Sequence, residues 1–403
     1  MRICTLVDRF PPLVGGVENQ AKQLSVELAR RGLPVIVLTR RVSAHLPAYE
    51  RTDGLTIYRV PPSGERGHRL NIISVFTFAW ALLRHRREYD LIHAHDMFSL
   101  LLAAIIVRLL LRKPLVVKVP THGNISRQGS QTTQVSLYSR LLHHVILPQR
   151  LWYWLLNRAD VFIAISNEIE AELRAAQLTD KTVRMVNAVD RSRFRPAEPP
   201  EKQSLRQQLD LPPEATVIVS HGRIVRRKRL DVLIHAIAQV CQTHPDLFVV
   251  LLGPFAPPDS ALEAELRHLI AELGLEHQVR FIGETLSPEG YLRAADVFVL
   301  TSEREGMPNA LLEAMACGLP CCASTIGGIT DVVDHGTDGY LFPVGDATAL
   351  AQVLKLIIDE PDFAARLGTA ALATIGTAYT WDAVIARYEE LYRGLLSSES
   401  TNG

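Results

Sequence analysis

The sequence predicts an α/β protein with two tandem domains, each built on a doubly wound parallel sheet. Short apolar runs with strand character alternate with helical patterns along the whole chain, and this alternation is typical of parallel sheets covered by helices on both faces. With 403 residues and 47% hydrophobic content, the chain is long enough for two or three domains with large cores. A proline-rich polar stretch at 194–214 separates two such series and is predicted to be a linker.

The first series predicts six strands, all short runs rich in Val, Ile and Leu. They are 2–8, 34–39, 56–60, 91–94, 115–119 and 161–165. Helical patterns lie near 16–31 and 72–87. Residues 97–111 are also strongly apolar, but they are fewer than the ~20 residues needed to cross a bilayer, and Arg108 interrupts them. A buried helix is therefore expected there.

The second series predicts six further strands of the same kind. They are 217–220, 248–253, 279–282, 297–300, 321–323 and 340–342. A last helix is predicted at 381–396, after a break at 376–380, and the polar residues 397–403 are expected to be a disordered tail. The predicted division of the chain is 1–195, 196–375 and 376–403.

The two halves of the chain carry opposite charge, although the formal net charge of the whole is zero. Residues 1–195 hold 28 Lys and Arg against 15 Asp and Glu, and the remainder holds 15 against 28. This asymmetry predicts an anionic partner for the first half, such as a membrane surface or a phosphorylated acceptor, rather than a nucleic acid. A merely solvated basic surface would explain it equally well.

Five cysteines lie in apolar surroundings, and this odd, sparse set predicts reduced and buried thiols. Cys317, Cys321 and Cys322 superficially suggest metal ligands, but neither a histidine nor a second cysteine pair accompanies them. The sequence starts directly with a strand pattern and has no signal-like apolar core. It therefore predicts a cytoplasmic protein, with the inner face of the plasma membrane as a further expected location.

Residues 134–158 mix aliphatic and four large aromatic side chains with arginines and histidines. Such a segment could lie on an anionic membrane surface. A helical pair packed on its own domain, with a basic outer face, is the equally favoured alternative.

The most informative segment is 302–320, which follows a predicted strand and reads SEREGMPNALLEAMACGLP. Pro308 suits the first turn of a helix. Glu305 then lies at the carboxyl end of a parallel strand, where open α/β sheets bind ligands, and the first N–H groups of the helix can receive a diphosphate. Glu313 lies further along that helix. Each glutamate alone would be an ordinary surface charge, but the combination predicts a nucleotide-sugar pocket, with Glu305 on the sugar and Glu313 on the ribose.

Two glycines, Gly15 and Gly16, stand between the first predicted strand and the first helix, with Glu18 just after them. Their missing Cβ atoms would let a diphosphate or an acceptor approach backbone N–H groups. A tight chain reversal alone would explain the glycines equally well. The spaced Gly-x-Gly-x-x-Gly pattern is absent after the first strand, which disfavours a dinucleotide-dependent dehydrogenase.

The strand at 91–94 runs into His95 and Asp96, and strand alternation places His93 and His95 on one face. Lining of an acceptor site or hydrogen bonding in the core is the favoured interpretation. Two histidines could also ligate zinc, but no third ligand is identifiable.

Residues 221–230 read HGRIVRRKRL and place a basic cluster directly after the first strand of the second series. Arginine and lysine at such a position suit phosphate binding. Because runs of charge are usually solvated, Arg226, Arg227 and Arg229 are interpreted as surface residues.

These motifs resemble the signature of retaining glycosyltransferase family 4, in which two glutamates separated by seven residues flank the sugar donor. The resemblance extends from Gly15 to Trp381 and implies the glycosyltransferase B fold, with two Rossmann-like domains facing a cleft and a terminal helix that crosses back onto the first domain. It also implies a metal-independent enzyme without cofactors, because the family lacks the Asp-x-Asp metal motif.

The resemblance further implies residue roles. Arg223 and Lys228 match the pair that neutralises the departing diphosphate, and His122 matches a histidine near the transferred sugar. Gly327 and Gly328 match a glycine turn near the donor. The other donor-binding candidates are Gly16, Gly306, Met307, Pro308, Asn309 and Ala310, and the acceptor-side candidates are Glu18, His93, His95 and Asp96.

The predicted function is therefore transfer of a sugar, with retention, from a nucleoside diphosphate sugar to a glycan, lipid-linked or other acceptor. A uridine diphosphate donor and a role in surface polysaccharide or glycolipid synthesis are expected. Two alternatives stay open. A nucleotide-sugar epimerase on the same fold would convert its substrate without an acceptor, and a protein that had lost catalysis would bind the donor but release no nucleoside diphosphate.

Overall fold

The chain forms two compact α/β units, which confirms the predicted fold class. The computed structural model describes residues 1–12, 15–61, 63, 72–125, 149–255 and 260–400. Unit 1 comprises Met1–Asn187 and Trp381–Gly403, and unit 2 comprises Ala188–Thr380. The chain therefore enters unit 2 at residue 188, eight residues before the position that the sequence pattern predicts.

Unit 1 contains an eight-stranded sheet with the order β3-β4-β2-β1-β5-β6-β7-β8. The strands are β1 (Ile3–Val7), β2 (Val35–Arg40), β3 (Tyr49–Thr52), β4 (Leu55–Val60), β5 (Leu91–Ala94), β6 (Leu115–Val119), β7 (Val161–Ala164) and β8 (Thr182–Arg184). All neighbours are parallel except β3, which pairs with β4 as an antiparallel edge. The strands β3 and β8 are absent from the sequence prediction, because β3 is half exposed and β8 has only three residues.

The described helices between these strands are α1 (Gly16–Arg30), α2 (Ile72–Arg84), α3 (Ser99–Leu111), α4 (Gln149–Leu156) and α5 (Asn167–Ala175). Helix α1 is followed by a glycine in the left-handed conformation. Gly32 adopts φ +80° and its N–H donates to the carbonyl of Ala29, a conformation that favours glycine after a helix. Helix α3 is less buried than the sequence predicts, since Leu109 and Leu110 are exposed. None of the described helices is both long and apolar enough to span a bilayer.

Unit 2 contains a six-stranded, fully parallel sheet with the order β11-β10-β9-β12-β13-β14. Its strands are β9 (Thr216–His221), β10 (Leu247–Leu252), β11 (Val279–Gly283), β12 (Val297–Leu300), β13 (Cys321–Ser324) and β14 (Tyr340–Phe342). Its helices are α6 (Pro199–Gln208), α7 (Leu230–Cys241), α8 (Ser260–Glu272), α9 (Pro288–Ala294), α10 (Asn309–Ala316), α11 (Gly327–Thr330), α12 (Ala347–Asp359) and α13 (Pro361–Ala378).

The predicted linker at 194–214 is wrong in part, because it contains helix α6. Its prolines Pro199 and Pro200 occupy the first helical positions, where a missing N–H costs no hydrogen bond. Asp296 connects this helix to the sheet through hydrogen bonds. Its carboxylate accepts from Arg206 of α6 at 2.5 Å and from the backbone N–H of Val217 of β9 at 2.7 Å. The segment is thus a packed part of unit 2.

The predicted break at 376–380 is also shorter than expected, because α13 continues to Ala378. Only two residues then precede α14 (Trp381–Ser400). Residues 397–400, predicted as part of a disordered tail, belong to this helix. Residues 401–403 lie outside the described part of the chain, as do residues 13–14 of the glycine loop and 134–148 of the predicted membrane segment.

Helix α14 completes the core of unit 1. It packs along α1 and buries Tyr388 and Tyr392 almost completely. The hydroxyl of Tyr392 hydrogen-bonds Nδ1 of His93 on β5 at 2.8 Å. The hydroxyl of Tyr388 is buried as well, but it has no hydrogen-bond partner in the described structure.

These two tyrosines provide a matched pair of stability tests. Tyr392→Phe should destabilise unit 1 by about 1 kcal/mol or more, because it leaves a buried His93 nitrogen unpaired. Tyr388→Phe should leave the stability unchanged or raise it, since it removes a buried hydroxyl that makes no hydrogen bond. Urea denaturation followed by circular dichroism measures both, and equal losses in the two variants would contradict the assignment.

Candidate functional site

Three loops meet at the carboxyl edge of the sheet in unit 2. The strands β9, β12 and β13 are neighbours in the sheet order, and the loops that follow them contain residues 221–229, 301–308 and 325–328. Because parallel strands end at the same edge, the side chains on these loops converge there, at the usual ligand-binding position of an open α/β sheet.

Glu305 is the centre of this convergence. Its Oε1 atom accepts a hydrogen bond from Ser302 Oγ at 2.8 Å and lies 2.7 Å from Lys228 Nζ. Its Oε2 atom lies 3.4 Å from Nη1 of Arg227. The residue is only 9% exposed. The carboxylate is therefore a buried anion with a cation on each oxygen.

Burial alone would raise the pKa of the Glu305 carboxyl. The charges of Lys228 and Arg227 and the hydrogen bonds from Lys228 and Ser302 outweigh burial, so the pKa lies below the ordinary value of 4.5. Ionised Glu305 therefore stabilises the folded protein above pH 4.5, the ordinary pKa of the group. This stabilisation is lost as the pH falls through the lower pKa that Glu305 has in the folded state. At neutral pH Glu305 is ionised and can accept hydrogen bonds but cannot donate a proton.

The backbone around Glu305 is held by further contacts between the loops. Thr301 Oγ1 donates to the carbonyl of Lys228 at 2.7 Å, and the N–H of Glu303 donates to the carbonyl of Arg227 at 2.9 Å. Ser324 Oγ, at the end of β13, hydrogen-bonds the carbonyl of Ser302. All three loops are thereby joined to one another through hydrogen bonds as well as through the Glu305 ion pairs.

Position 328, after β13, has no room for a side chain. A Cβ atom at this position would lie 2.2 Å from the carbonyl oxygen of Gly306 and 2.7 Å from that of Glu305. No real Cβ tolerates such distances from a backbone oxygen. The close approach of α11 to the Glu305 loop therefore requires glycine here.

Glu313 lies on α10 and faces the end of β9. Its Oε2 atom is 3.4 Å from Nδ1 of His221. Both atoms are buried, and neither makes a hydrogen bond in the described structure. Glu313 and His221 thus offer an acceptor and a ring nitrogen with unused hydrogen-bonding capacity beside the same loops.

The other predicted donor-side residues of unit 2 lie on the loops after β9 and β12 and at the start of α10. Arg223 is exposed, and no described residue forms an ion pair or hydrogen bond with its side chain. Pro308 is the residue before α10 rather than in its first turn, and no side chain caps the helix. Gly306, Met307 and Ala310 are buried, and Asn309 is half-buried.

The remaining predicted residues lie in unit 1. His122 follows β6 and is half-buried; the loop it belongs to is fixed by the N–H of Gly123, which donates to Glu172 at 2.8 Å. Gly16 begins α1, and Glu18 is half-buried in its first turn. These residues belong to a different unit from the Glu305 loops.

His93, His95 and Lys118 form a buried polar cluster at the ends of β5 and β6. The two imidazole rings are 4.1 Å apart, and Lys118 Nζ donates to Asn187 Oδ1 at 2.8 Å. Burial lowers the pKa of Lys118 to about 7. Burial and the Lys118 charge hold the pKa of His93 well below its ordinary value.

The surroundings of this cluster favour hydrogen bonding in the core over metal binding. His93 is bonded to Tyr392 of α14, and Oδ1 of Asp96 accepts from the N–H of Met97. Within the described residues no group of three His, Cys, Asp or Glu side chains is placed to hold a metal ion. All five cysteines are free thiols, and Cys241 is half-buried rather than buried.

Two family models match the chain in sequence. The model described as "Glycosyltransferase Family 4" matches residues 14–193, and the model described as "Glycosyl transferases group 1" matches residues 201–374. Their ranges follow one another and cover most of both units.

The chain belongs to glycosyltransferase family 4.

Known proteins agree with this assignment of the glycosyltransferase. It is 29% identical to D-inositol 3-phosphate glycosyltransferase 1 of Catenulispora acidiphila, across 98% of this chain and 96% of the relative. It is 30% identical over 245 residues to the lipopolysaccharide core biosynthesis glycosyltransferase LpsD of Rhizobium meliloti, covering 61% and 66% of the two chains. The crystal structure of Anabaena HepE in complex with UDP has the same fold, with a TM-score of 0.77 at 23% identity, covering 98% of this chain and all of HepE.

Three residues of the candidate site in unit 2 are missing from the predicted site residues: Ser302, Arg227 and His221. Ser302 lies three residues before Glu305 in the same loop, a spacing that could have indicated a bond between them. The sequence predicts a solvated charge at Arg227, yet its side chain contacts Glu305 and donates to the carbonyl of Arg304 at 2.9 Å. His221 could be paired with Glu313 only once β9 and β12 were known to be neighbours.

Gly328→Ala should disrupt the candidate site around Glu305, because the added methyl group must displace the backbone of Gly306 and Glu305. The expected result is at least a tenfold loss of donor turnover. Gly394→Ala is a matched control, since a Cβ there meets nothing within 4 Å. Steady-state rates of both variants test this; unchanged turnover in Gly328→Ala would show that the Glu305 loop is not fixed by α11.

Lys118→Met should stabilise the protein near neutral pH. Between about pH 7 and the ordinary lysine pKa of 10.5, the unfolded chain holds a proton at Lys118 that the folded chain lacks, so wild-type stability rises with pH through this window. The advantage of Lys118→Met should therefore be largest at pH 7 or below and shrink towards pH 10. Urea midpoints of both proteins across this range measure it, and a constant difference would contradict a buried, neutralised lysine.

Proposed function

We propose that this glycosyltransferase moves a sugar, with retention of configuration, from a nucleoside diphosphate sugar to a membrane-anchored glycan or lipid-linked acceptor. The observation that carries the proposal is the buried Glu305 carboxylate, held by Lys228 and Arg227 at the sheet edge beside the start of α10. A fixed anion, several cations and helix N–H groups within one set of loops suit a ligand that has both sugar hydroxyls and phosphates.

In this proposal unit 2 binds the donor. Arg223 and Lys228 neutralise the diphosphate, and the first N–H groups of α10, after Pro308, add hydrogen bonds to it. The Lys228 ammonium has three donors, so it can contact a phosphate while it keeps its ion pair with Glu305. Glu313 accepts from the ribose hydroxyls, and Glu305 accepts from hydroxyls of the sugar.

The proposed chemistry depends on charge stabilisation. As the bond between the sugar and the diphosphate breaks, negative charge grows on the leaving phosphate and positive charge on the sugar. Arg223 and Lys228 stabilise the first, and the ionised carboxylate of Glu305 favours the second. The resemblance to the family favours attack on the same face, with the leaving phosphate accepting the acceptor proton. No described residue is assigned as a covalent nucleophile.

Independence of metal ions is part of the proposal. In this scheme the cations of Arg223 and Lys228 perform the neutralisation that a divalent ion would otherwise provide. Turnover that persists in an excess of EDTA would support it, and loss of turnover with recovery on adding magnesium would overturn it.

The proposed acceptor class rests on the charge of the first half of the chain, with its excess of Lys and Arg, and on the similarity to LpsD. A basic first half suits acceptors at an anionic membrane, and this supports the inner face of the plasma membrane as the proposed location. A second candidate is a small phosphorylated acceptor, favoured by the similarity to an inositol 3-phosphate glycosyltransferase over nearly the whole chain. The UDP bound to HepE makes uridine the first donor base to examine.

The proposal is tested by donor turnover with a panel of uridine, guanosine and adenosine diphosphate sugars. One nucleotide sugar should stabilise the protein against heat and slowly release nucleoside diphosphate. Glu305→Gln and Arg223→Ala should lower this release roughly a hundredfold or more. Arg226→Gln is the matched control from the same basic segment, because Arg226 pairs with Glu265 at the surface, and it should stay within about twofold of the wild type.

The same measurement separates the alternatives. Conversion of one nucleotide sugar into its epimer without release of nucleoside diphosphate would identify an epimerase. Binding without release, also in the presence of extracted lipid-linked glycans and of inositol phosphate, would indicate a protein without transferase activity. Absence of binding to every nucleotide sugar would overturn the donor assignment.

A further inference from the structure

Helices α2 and α3 of unit 1 pack against each other and share an exposed apolar surface. On α2, Ile72, Phe76 and Trp80 are 52%, 69% and 61% exposed. On α3, Leu109 and Leu110 are 53% and 64% exposed. The spacing of four residues on α2 places its three side chains along one stripe of the helix. These five residues are called the α2–α3 face.

This face is not the ordinary outer side of a surface helix. Helix α2 already buries an apolar side through Phe78 and Leu82, both fully inaccessible, and this side packs into the core of unit 1. Its outward side should then be polar. Single exposed apolar residues need no explanation, but a cluster of large ones, including a phenylalanine and a tryptophan, indicates a binding surface.

The charges beside the face have one sign. Residues 72–87 include three arginines and no Asp or Glu, and residues 97–113 include Arg112 and Lys113, besides Arg108, whose charge is paired with Asp160. Arg84 and Arg112 are exposed, and the guanidinium of Arg84 lies 5.5 Å from the ring centre of Trp80. The apolar stripe therefore carries cations directly at its edge.

We propose that the α2–α3 face binds the surface of an anionic lipid bilayer. Apolar side chains that enter the boundary between headgroups and acyl chains, with arginines on lipid phosphates, form the usual pattern of a helix lying on a membrane. Tryptophan is the residue that favours this boundary. The inference deepens the proposed function and rests on it in one respect, since a membrane-anchored acceptor gives the docking its purpose.

The sign of the charges favours a bilayer over a second copy of this chain. A dimer through the α2–α3 face would bring two copies of the exposed Arg84 and Arg112 together, and like charges across an interface oppose association. An anionic lipid surface supplies both an apolar layer and the opposite charge.

This surface differs from the segment that the sequence singles out for the membrane, 134–158. Within the described part of that segment, α4 exposes Leu151 and Trp154, while Trp152 is fully buried against Phe98. The described helix α4 thus exposes two large apolar side chains, fewer than the five of the α2–α3 face. Trp80 and Trp154 report separately on the two surfaces.

The test is flotation of the full-length protein with vesicles of phosphatidylcholine, with or without one third of phosphatidylglycerol. The wild type should float with the anionic vesicles and detach at high salt. Phe76→Ser with Trp80→Ser should weaken binding at least tenfold. Arg84→Gln with Arg112→Gln should weaken binding to anionic vesicles by roughly twenty-five-fold, about fivefold for each arginine.

Matched controls come from unit 2. Leu286→Ser with Leu356→Ser removes two exposed leucines, and Arg226→Gln with Arg366→Gln removes two exposed arginines; both pairs should float like the wild type. Bromine-labelled lipids should quench tryptophan fluorescence in the wild type and in Trp154→Phe, but much less in Trp80→Phe, which keeps an apolar side chain and should still bind.

Three results would overturn the inference. They are absence of flotation by a wild type that is folded by circular dichroism, flotation unaffected by both double variants on the α2–α3 face, and quenching that persists in Trp80→Phe but disappears in Trp154→Phe. A wild-type dimer that Phe76→Ser with Trp80→Ser dissociates, without vesicle binding, would assign the face to self-association. None of these readouts uses a nucleotide sugar, so failure here and failure of donor turnover are distinguishable.

Discussion

The pairing of one buried carboxylate with two cations is the constraint on which the site of unit 2 depends. Glu305 has lost most of its water, and it is stable there as an anion only because Lys228 and Arg227 come from a neighbouring loop. Removing one partner of a buried pair usually costs about 3–5 kcal/mol. The strands β9 and β12 are neighbours in the sheet, and the loops that follow them bring these charges together.

Burial has opposite consequences in the two units because the neighbouring charges differ. In unit 2 the carboxylate of Glu305 meets cations and stays ionised. In unit 1 Lys118 donates to the amide of Asn187 and forms no ion pair with an acidic side chain among the described residues, and desolvation lowers its pKa to about 7. The first arrangement keeps a fixed negative charge at the sheet edge. The second holds a lysine whose charge costs stability, which suits a core position better than a phosphate site.

The sequence predicts the parallel architecture well because buried parallel strands are continuous apolar runs; β5, β6, β12 and β14 have the predicted bounds. It misses elements whose pattern is set by their surroundings. The edge strand β3 is half exposed, and α6 begins with prolines, which in isolation indicate a linker. In the site, Glu305 and Lys228 could be named from their motifs. The role of Arg227 could not, since a run of cations does not show which member faces a carboxylate 78 residues away.

The final helix has a consequence for the order in which the protein matures. A ribosome releases β5 and its histidine long before it releases Tyr388 and Tyr392 of α14, and all of unit 2 is synthesised in between. Until then the face of β5 that carries His93 lacks its cover. Unit 2 can complete its core during translation, whereas unit 1, although made first, is finished last, and a chain cut short near its end loses the stability of its beginning.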